Sequence, residues 1–371
     1  MRILILGLFV RIIIAFLNSY YGPTLGAEGD ALGFHFLATS IARDNGLMVI
    51  ENEVGWVYAY ALAIFYKIAE PSLFLGCLLS CIAWLLSGIL VDKILSALSV
   101  DQISRNRALI IYTFLPSAVL FTPITLREVY QLLFINLAIY SMIKIAINKN
   151  FLYWASLIFA CYCMGALHLG LSAYAIILIG TVLYLISIRG KKGGFPFAKF
   201  LVLAPIIISG VYLGISEYMD IVKYDFSGGI AQAVANYRSG HNEARAMYSF
   251  QPELNSFLDL LVYIPIAVFQ YFLEPFPWNI STLFDLALFF ENLIRFSLII
   301  IVMKNILTVS REYRTLGLVL FLLFLVLETM WALGTVNWGS AARHHIPGLG
   351  LLVISAFYVI SHNSRTNPSA K

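Results

Sequence analysis

Long apolar runs separated by short polar connections dominate the sequence. Runs of about 17–25 residues, enough to cross a hydrocarbon core of roughly 30 Å as helix, occupy 3–21, 72–91, 108–125, 129–147, 151–167, 170–188, 197–217, 281–303, 315–334 and 345–361. Within them apolar and polar residues do not alternate, which argues against a transmembrane β-barrel. The pattern predicts an all-α polytopic membrane protein: a single integral membrane domain over 1–371 with about ten transmembrane helices. Two further apolar stretches, 55–69 and 257–273, are shorter and flanked by polar loops. "VYAYALAIFYKI" carries tyrosines at 58, 60 and 66, as an interfacial helix does. "YIPIAVFQYFLEPFPW" ends in two prolines and Trp278, which suits a re-entrant element better than a crossing.

Composition agrees with the pattern. The 371 residues are 60% hydrophobic and 12% charged, with a mean hydropathy of +0.85, against about 25% charged in soluble domains. Residues 3–21 are long for a signal-peptide core, and Arg11 interrupts them, so the segment reads as a retained first span. Cys77, Cys81, Cys161 and Cys163 all fall in apolar runs and read as packing residues.

The net charge of +4 matters less than where the charges sit. With ten spans and an inner N-terminus, 15 of the 24 basic residues fall on the inner side, with only Asp92, Asp101 and Glu312 as inner acids. Counting 55–69 as a span would move Lys93, Arg105 and Arg107 outside, against that bias. The outer face then carries two large segments, 22–71 with an interfacial helix and 218–280 with a re-entrant one, and any chemistry belongs there.

Glu28 and Asp30 form an ExD pair where the first span surfaces. A carboxylate at the lipid–water boundary suits a general base, and the pair would suit a divalent cation; alternatively Asp30 caps a helix beginning at Ala31. His35 lies about 140° round such a helix from Asp30 and reads as structural. Arg127 and Glu128 sit in a tight outer hairpin, and an arginine there can grip a phosphate with two hydrogen bonds. The loop 222–250 crowds Arg238, His241, Glu243 and Arg245. "GTVNWGSAARHHIPGLG" places Arg343, His344 and His345 before the last span, where Arg343 fits a phosphate or sugar acid better than the histidine pair fits zinc. Within the spans, Arg11 is costly, while Glu291 and Arg295 are spaced to neutralise one another.

An N-terminal span followed by an outer loop with an acidic ExD, interfacial helices and basic inner loops resembles the GT-C superfamily of membrane glycosyltransferases. "FLPSAVLFTPITLRE" (114–128), "YFLEPFPWNI" (271–280) and "NWGSAARHHIP" (337–347) look like a bacterial branch found with surface-polysaccharide genes, overlapping with O-antigen and capsule polymerases. The resemblance implies a polyprenyl-phosphate- or pyrophosphate-linked sugar donor, a glycan acceptor and a periplasmic site on the bacterial inner membrane. It also implies other polysaccharide-assembly proteins as partners, and neither nucleic acid nor an organic cofactor. The family's first-loop acid maps to Asp30 or Glu28. The substrate-binding candidates are Arg127, Glu128, Arg238, His241, Arg245, Trp278, Arg343 and His344. The competing reading is a transporter or flippase of lipid-linked saccharides. Against it, the sequence shows no internal repeat, and its polar residues gather at one face and not at the midplane.

Overall fold

The computed structural model describes residues 1–43, 56–147, 150–188, 229–239 and 245–366. The predicted span 197–217 lies outside them. The described residues are all-helical, with a single antiparallel bridge, Met247 to Asn337, and no strand. In chain order the helices are α1 (Arg2–Tyr20), α2 (Asp30–Arg43), α3 (Trp56–Ala69), α4 (Leu73–Ala97), α5 (Gln102–Phe114), α6 (Pro116–Phe121), α7 (Glu128–Ile147), α8 (Phe151–Leu167) and α9 (Leu169–Ile188). There follow α10 (Gly229–Ser239), α11 (Phe257–Leu273), α12 (Leu283–Asn305), α13 (Arg311–Gly334), α14 (Trp338–His344) and α15 (Leu349–Thr366).

Among the described residues six helices (α1, α4, α7, α9, α12 and α13) are long and apolar enough to cross a membrane; α14 with α15, bent by 67°, would make a seventh. Helices α3, α8 and α11 are apolar but shorter, at 14, 17 and 17 residues. Seventeen residues rise about 26 Å, a little under the hydrocarbon thickness. The stretch predicted to cross at 108–125 is not one helix. It breaks at Leu115, whose extended backbone (ψ 131°) precedes Pro116, because a proline ring disfavours helical geometry in the residue before it.

Helix α15 is the axis of the bundle, packed by α4, α5, α7, α12 and α13. Leu349, Leu351–Ile354, Ala356 and Val359 are fully buried, as expected of a helix that is apolar all round. Helix α1 is the reverse. Leu4, Gly7, Arg11, Ala15 and Asn18 form its buried stripe, while Ile5, Leu6, Phe9, Ile13 and Phe16 face outward. Exposed large apolar residues over a small and polar inner stripe suit a helix solvated by lipid. Gly7 lets the neighbours come close, since a Cβ there would run into Thr113 and Trp84.

The break between α5 and α6 frees backbone groups that cannot be left bare in hydrocarbon. Arg11 takes one side. Its Nη2 donates to Thr113 O (3.0 Å) and Ala118 O (3.1 Å), its Nε to Thr122 Oγ1 (2.7 Å), its Nη1 to Gly7 O (3.2 Å), and it stacks 3.6 Å from the Trp84 ring. Glu291 takes the other, accepting from Ser117 N (2.7 Å) and Ser117 Oγ while paired to Arg295 (Nη2–Oε1 2.5 Å). Glu291 and Arg295 do neutralise one another, and together they also cap a broken helix.

The polar contacts of the connecting loops sort to two ends. At one, Asp92 pairs with Arg105 (2.7 Å), Asp101 accepts from Ser361 (2.9 Å), and Asn305 and Thr308 bond Asn363. These are the loops predicted to face inward. The loops predicted to face outward meet at the other end. There the expected interfacial tyrosines of α3 are partly corrected: Tyr58 and Tyr66 are buried, Tyr58 edge-on to Phe34 and Tyr66 bonded to His35 Nδ1 (2.8 Å).

Candidate functional site

The first outer segment is held by local bonds. Asn18 Oδ1 accepts from Thr24 N (2.9 Å) and Thr24 Oγ1 (3.1 Å), and the turn passes through Gly26 (φ +78°) and Gly29 (φ +71°) into α2. Thr125 Oγ1 donates to Ala31 O (2.6 Å), fastening the start of α2 to the turn that carries Arg127. On the far side of the sequence, Asn337 accepts from Ser340 N (2.7 Å) and so caps α14, which carries Arg343 and His344.

These anchors bring Asp30 and Arg343 together. Arg343 Nη2 donates to Asp30 Oδ2 at 2.9 Å across 313 positions of sequence, with side-chain exposures of 17% for Arg343 and 61% for Asp30. Asp30 is the first residue of α2, and its carboxylate bonds Arg343 and not the backbone of its own helix, so the capping alternative fails. An arginine on a face predicted to be poor in basic residues thus has a local reason.

Arg127 lies on the same wall. Its Nη1 reaches Leu167 O at a long 3.4 Å, its guanidinium lies 6.0 Å from the Phe34 ring, and its other donors have no partner among the described residues. Next to Leu167 is His168, absent from the sequence-derived set. Its Nδ1 accepts from Gly170 N (3.1 Å), so that nitrogen carries a lone pair and Nε2 carries the proton. Burial, with Arg127 beside it, pushes His168 down to about 3. Trp331 lies between two imidazoles, 4.6 Å from His168 and 4.7 Å from His344. Thr335 donates its one hydroxyl proton to Trp331 O (2.7 Å), so His344 Nδ1–H is the donor to Thr335 Oγ1 (2.7 Å) and His344 Nε2 is the acceptor. The site therefore offers two arginines, a carboxylate, a neutral N–H donor and a neutral nitrogen acceptor.

The other candidates disperse. Glu28 is exposed and unpaired among the described residues. Glu128 is buried, and its Oε2 has no hydrogen-bond partner there. Arg245 forms a two-point pair with Asp285 (2.7 and 3.1 Å), which also accepts from Trp338 Nε1 (3.0 Å). Trp278 is 79% exposed and stacks on Phe276 (5.0 Å). Arg238 is buried with its guanidinium 4.4 Å from the Tyr263 ring. His241 lies outside the described residues. His345 turns away from His344, bonding Glu328 Oε2 (2.6 Å) and Tyr271 O (3.0 Å) inside the bundle, so the two histidines do not converge. Among the described residues no three His, Cys, Asp or Glu are grouped to hold a metal ion. A cation at Glu28 and Asp30 would have to draw its remaining ligands from water or substrate.

The chain matches no family model, no curated protein and no solved structure.

Proposed function

We propose that this protein is a GT-C-type membrane glycosyltransferase with about ten transmembrane helices, acting at the periplasmic face of the bacterial inner membrane. It transfers sugar from a polyprenyl-phosphate- or pyrophosphate-linked donor to a glycan acceptor in O-antigen, capsule or exopolysaccharide assembly, including as the repeat-unit polymerase. The observation that carries the reading is the Asp30–Arg343 pair, with Arg127 on the same wall. One carboxylate and two arginines at the end of an apolar bundle are what a lipid-phosphate leaving group and a nucleophilic hydroxyl require.

Arg343 and Arg127 hold the donor phosphate, and His168 Nε2–H adds a neutral donor. When Arg343 turns to the phosphate it releases Asp30, which takes the proton of an acceptor hydroxyl. That oxygen forms a bond to the anomeric carbon while the bond from this carbon to the phosphate oxygen breaks. The electron pair leaves with the lipid phosphate, where arginine charge stabilises it, and the configuration inverts. A base and a charge clamp set by rigid helix ends supply this without a cofactor.

The break between α5 and α6 favours a second reading, because transporters bind cargo at discontinuous helices. Here, however, Arg11 and Glu291 already occupy the freed backbone groups. The lipid-linked glycan profile of a deletion strain decides between the readings. A transferase deletion accumulates a shortened or unpolymerised lipid-linked glycan on the periplasmic leaflet. A flippase deletion accumulates the complete unit on the cytoplasmic leaflet, which would overturn the proposal.

A further inference from the structure

The second outer segment encloses a cleft that the reaction above does not use. Its volume is about 540 Å³, and it is lined by Gln232, Arg238, Ser249, Gln251, Glu253 and Asn255, among others. That is within the roughly 300–1,000 Å³ of small-molecule sites. The wall is fixed. Tyr248 N donates to Val336 O (3.0 Å), Gln251 Nε2 to Val336 O (3.2 Å) and Trp338 N to Ala246 O (3.0 Å), while Ser249 N donates to the buried carboxylate of Glu274 (3.1 and 3.2 Å).

Arg238 is 5% exposed and lies over Tyr263, and its Nη1 has no hydrogen-bond partner among the described residues; the hydroxyl of Tyr248 is likewise buried and without a partner there. A buried guanidinium nitrogen without an acceptor is costly unless a ligand supplies one. The surrounding groups define that ligand. One arginine suits a single negative charge better than a phosphate dianion, and Glu253 elsewhere on the lining disfavours a second negative charge. The amides and the serine hydroxyl suit an array of sugar hydroxyls.

We infer that this cleft is a subsite for an acidic sugar, a glycan unit bearing a carboxylate, with Arg238 as its anion contact. The inference rests on the glycosyltransferase reading for the ligand's role: the acidic unit belongs to the growing glycan and not to the lipid carrier. The cleft wall is tied at Trp338, five residues before Arg343 on α14, or about 8 Å along that helix. The segment that walls the cleft and the Asp30–Arg343 pair are thus joined through one short helix.

The test is binding of galacturonic acid trisaccharide to the purified full chain in lipid nanodiscs, by calorimetry, with a neutral glucose trisaccharide and inorganic phosphate as controls. The acidic trisaccharide should bind at least about 10-fold more tightly than the neutral one. Arg238→Gln should lose about 10–100-fold, the worth of a charge-assisted hydrogen bond, and Arg238→Lys should recover part of it. Because Arg238 is buried, Gln232→Trp serves as an independent block: Gln232 is exposed on the cleft wall, and a large side chain there should abolish binding while the thermal midpoint holds. Equal binding of both trisaccharides, undiminished binding by both variants, or displacement by millimolar phosphate would overturn the subsite. Acidic-sugar binding without any transfer to it would leave the subsite standing and count against the transferase.

Discussion

Two arginines in this bundle, Arg11 and Arg343, face opposite situations. Arg11 is fully buried, and each guanidinium nitrogen donates to a backbone or hydroxyl oxygen of α1, α5, α6 or Thr122 just after α6. Four of its five N–H donors are committed, and full burial closes it to a ligand. Arg343 is partly exposed and meets a carboxylate that is itself mostly exposed, so its bond can be exchanged for one to substrate. Burial alone therefore does not mark function in a membrane protein. What matters is whether the charge is already satisfied by the fold.

That contrast predicts a graded series. The largest effect should come from breaking the buried brace. Glu291→Ala leaves Arg295 and Ser117 N uncompensated, and loss of one partner of a buried pair costs about 3–5 kcal/mol. The folded yield in detergent should collapse, and a wild-type melting curve would show the brace to be dispensable. Arg343→Ala should leave the melt nearly intact but lower transfer by about 100-fold, as for one lost charge-stabilising donor. Arg343→Lys should recover little, because lysine cannot make the two-point contact. Full rescue by lysine would reduce the contact to a point charge.

A pH series sharpens the same contrast. His168 titrates near 6.5 in an unfolded chain and at about 3 in the fold. The unfolded state therefore binds the extra proton as pH falls below 6.5, and stability declines progressively down to about 3. Burial lowers His35 in the same direction. The thermal midpoint should be several degrees lower at pH 5 than at pH 7.5, and His168→Gln should flatten that difference. An unchanged slope in the variant would place the titration elsewhere. The smallest effect is expected at Lys191 and Lys192, which lie outside the described residues. Alanine there should change transfer by less than about twofold if phosphate is gripped only on the opposite face, and losses equal to those at Arg343 would contradict that sidedness.

Much of this was legible in the sequence because lipid imposes it: continuous apolar runs, the i,i+4 spacing of Glu291 and Arg295, and cysteines that remain free and largely buried. The break at Leu115 had a visible signal, Pro116 within an apolar run, that hydropathy alone passes over. The acceptors of Arg11 could not be read from sequence, since Thr113 O is freed only by that break and the others come from α1, α6 and Thr122 once the helices are packed. Nor could the meeting of Asp30 with Arg343, because nothing local encodes a contact across 313 positions. His168 lay between two apolar runs without charged neighbours, and only the packing of Trp331 against both imidazoles brings it to the site.

On the proposed function, Asp30 is the base of a site whose arginines hold a lipid phosphate. The most direct measurement is sugar transfer from a polyprenyl-phosphate-linked donor by purified Asp30→Asn protein, with the thermal midpoint recorded on the same sample. The change keeps the side chain's size and its ability to accept from Arg343 while removing charge and basicity. If Asp30 is the base, the melt is unchanged and the rate falls at least about 100-fold, the lower end of what a general base contributes. Near-normal transfer with the same melt would contradict it and leave Asp30 as a structural partner of Arg343.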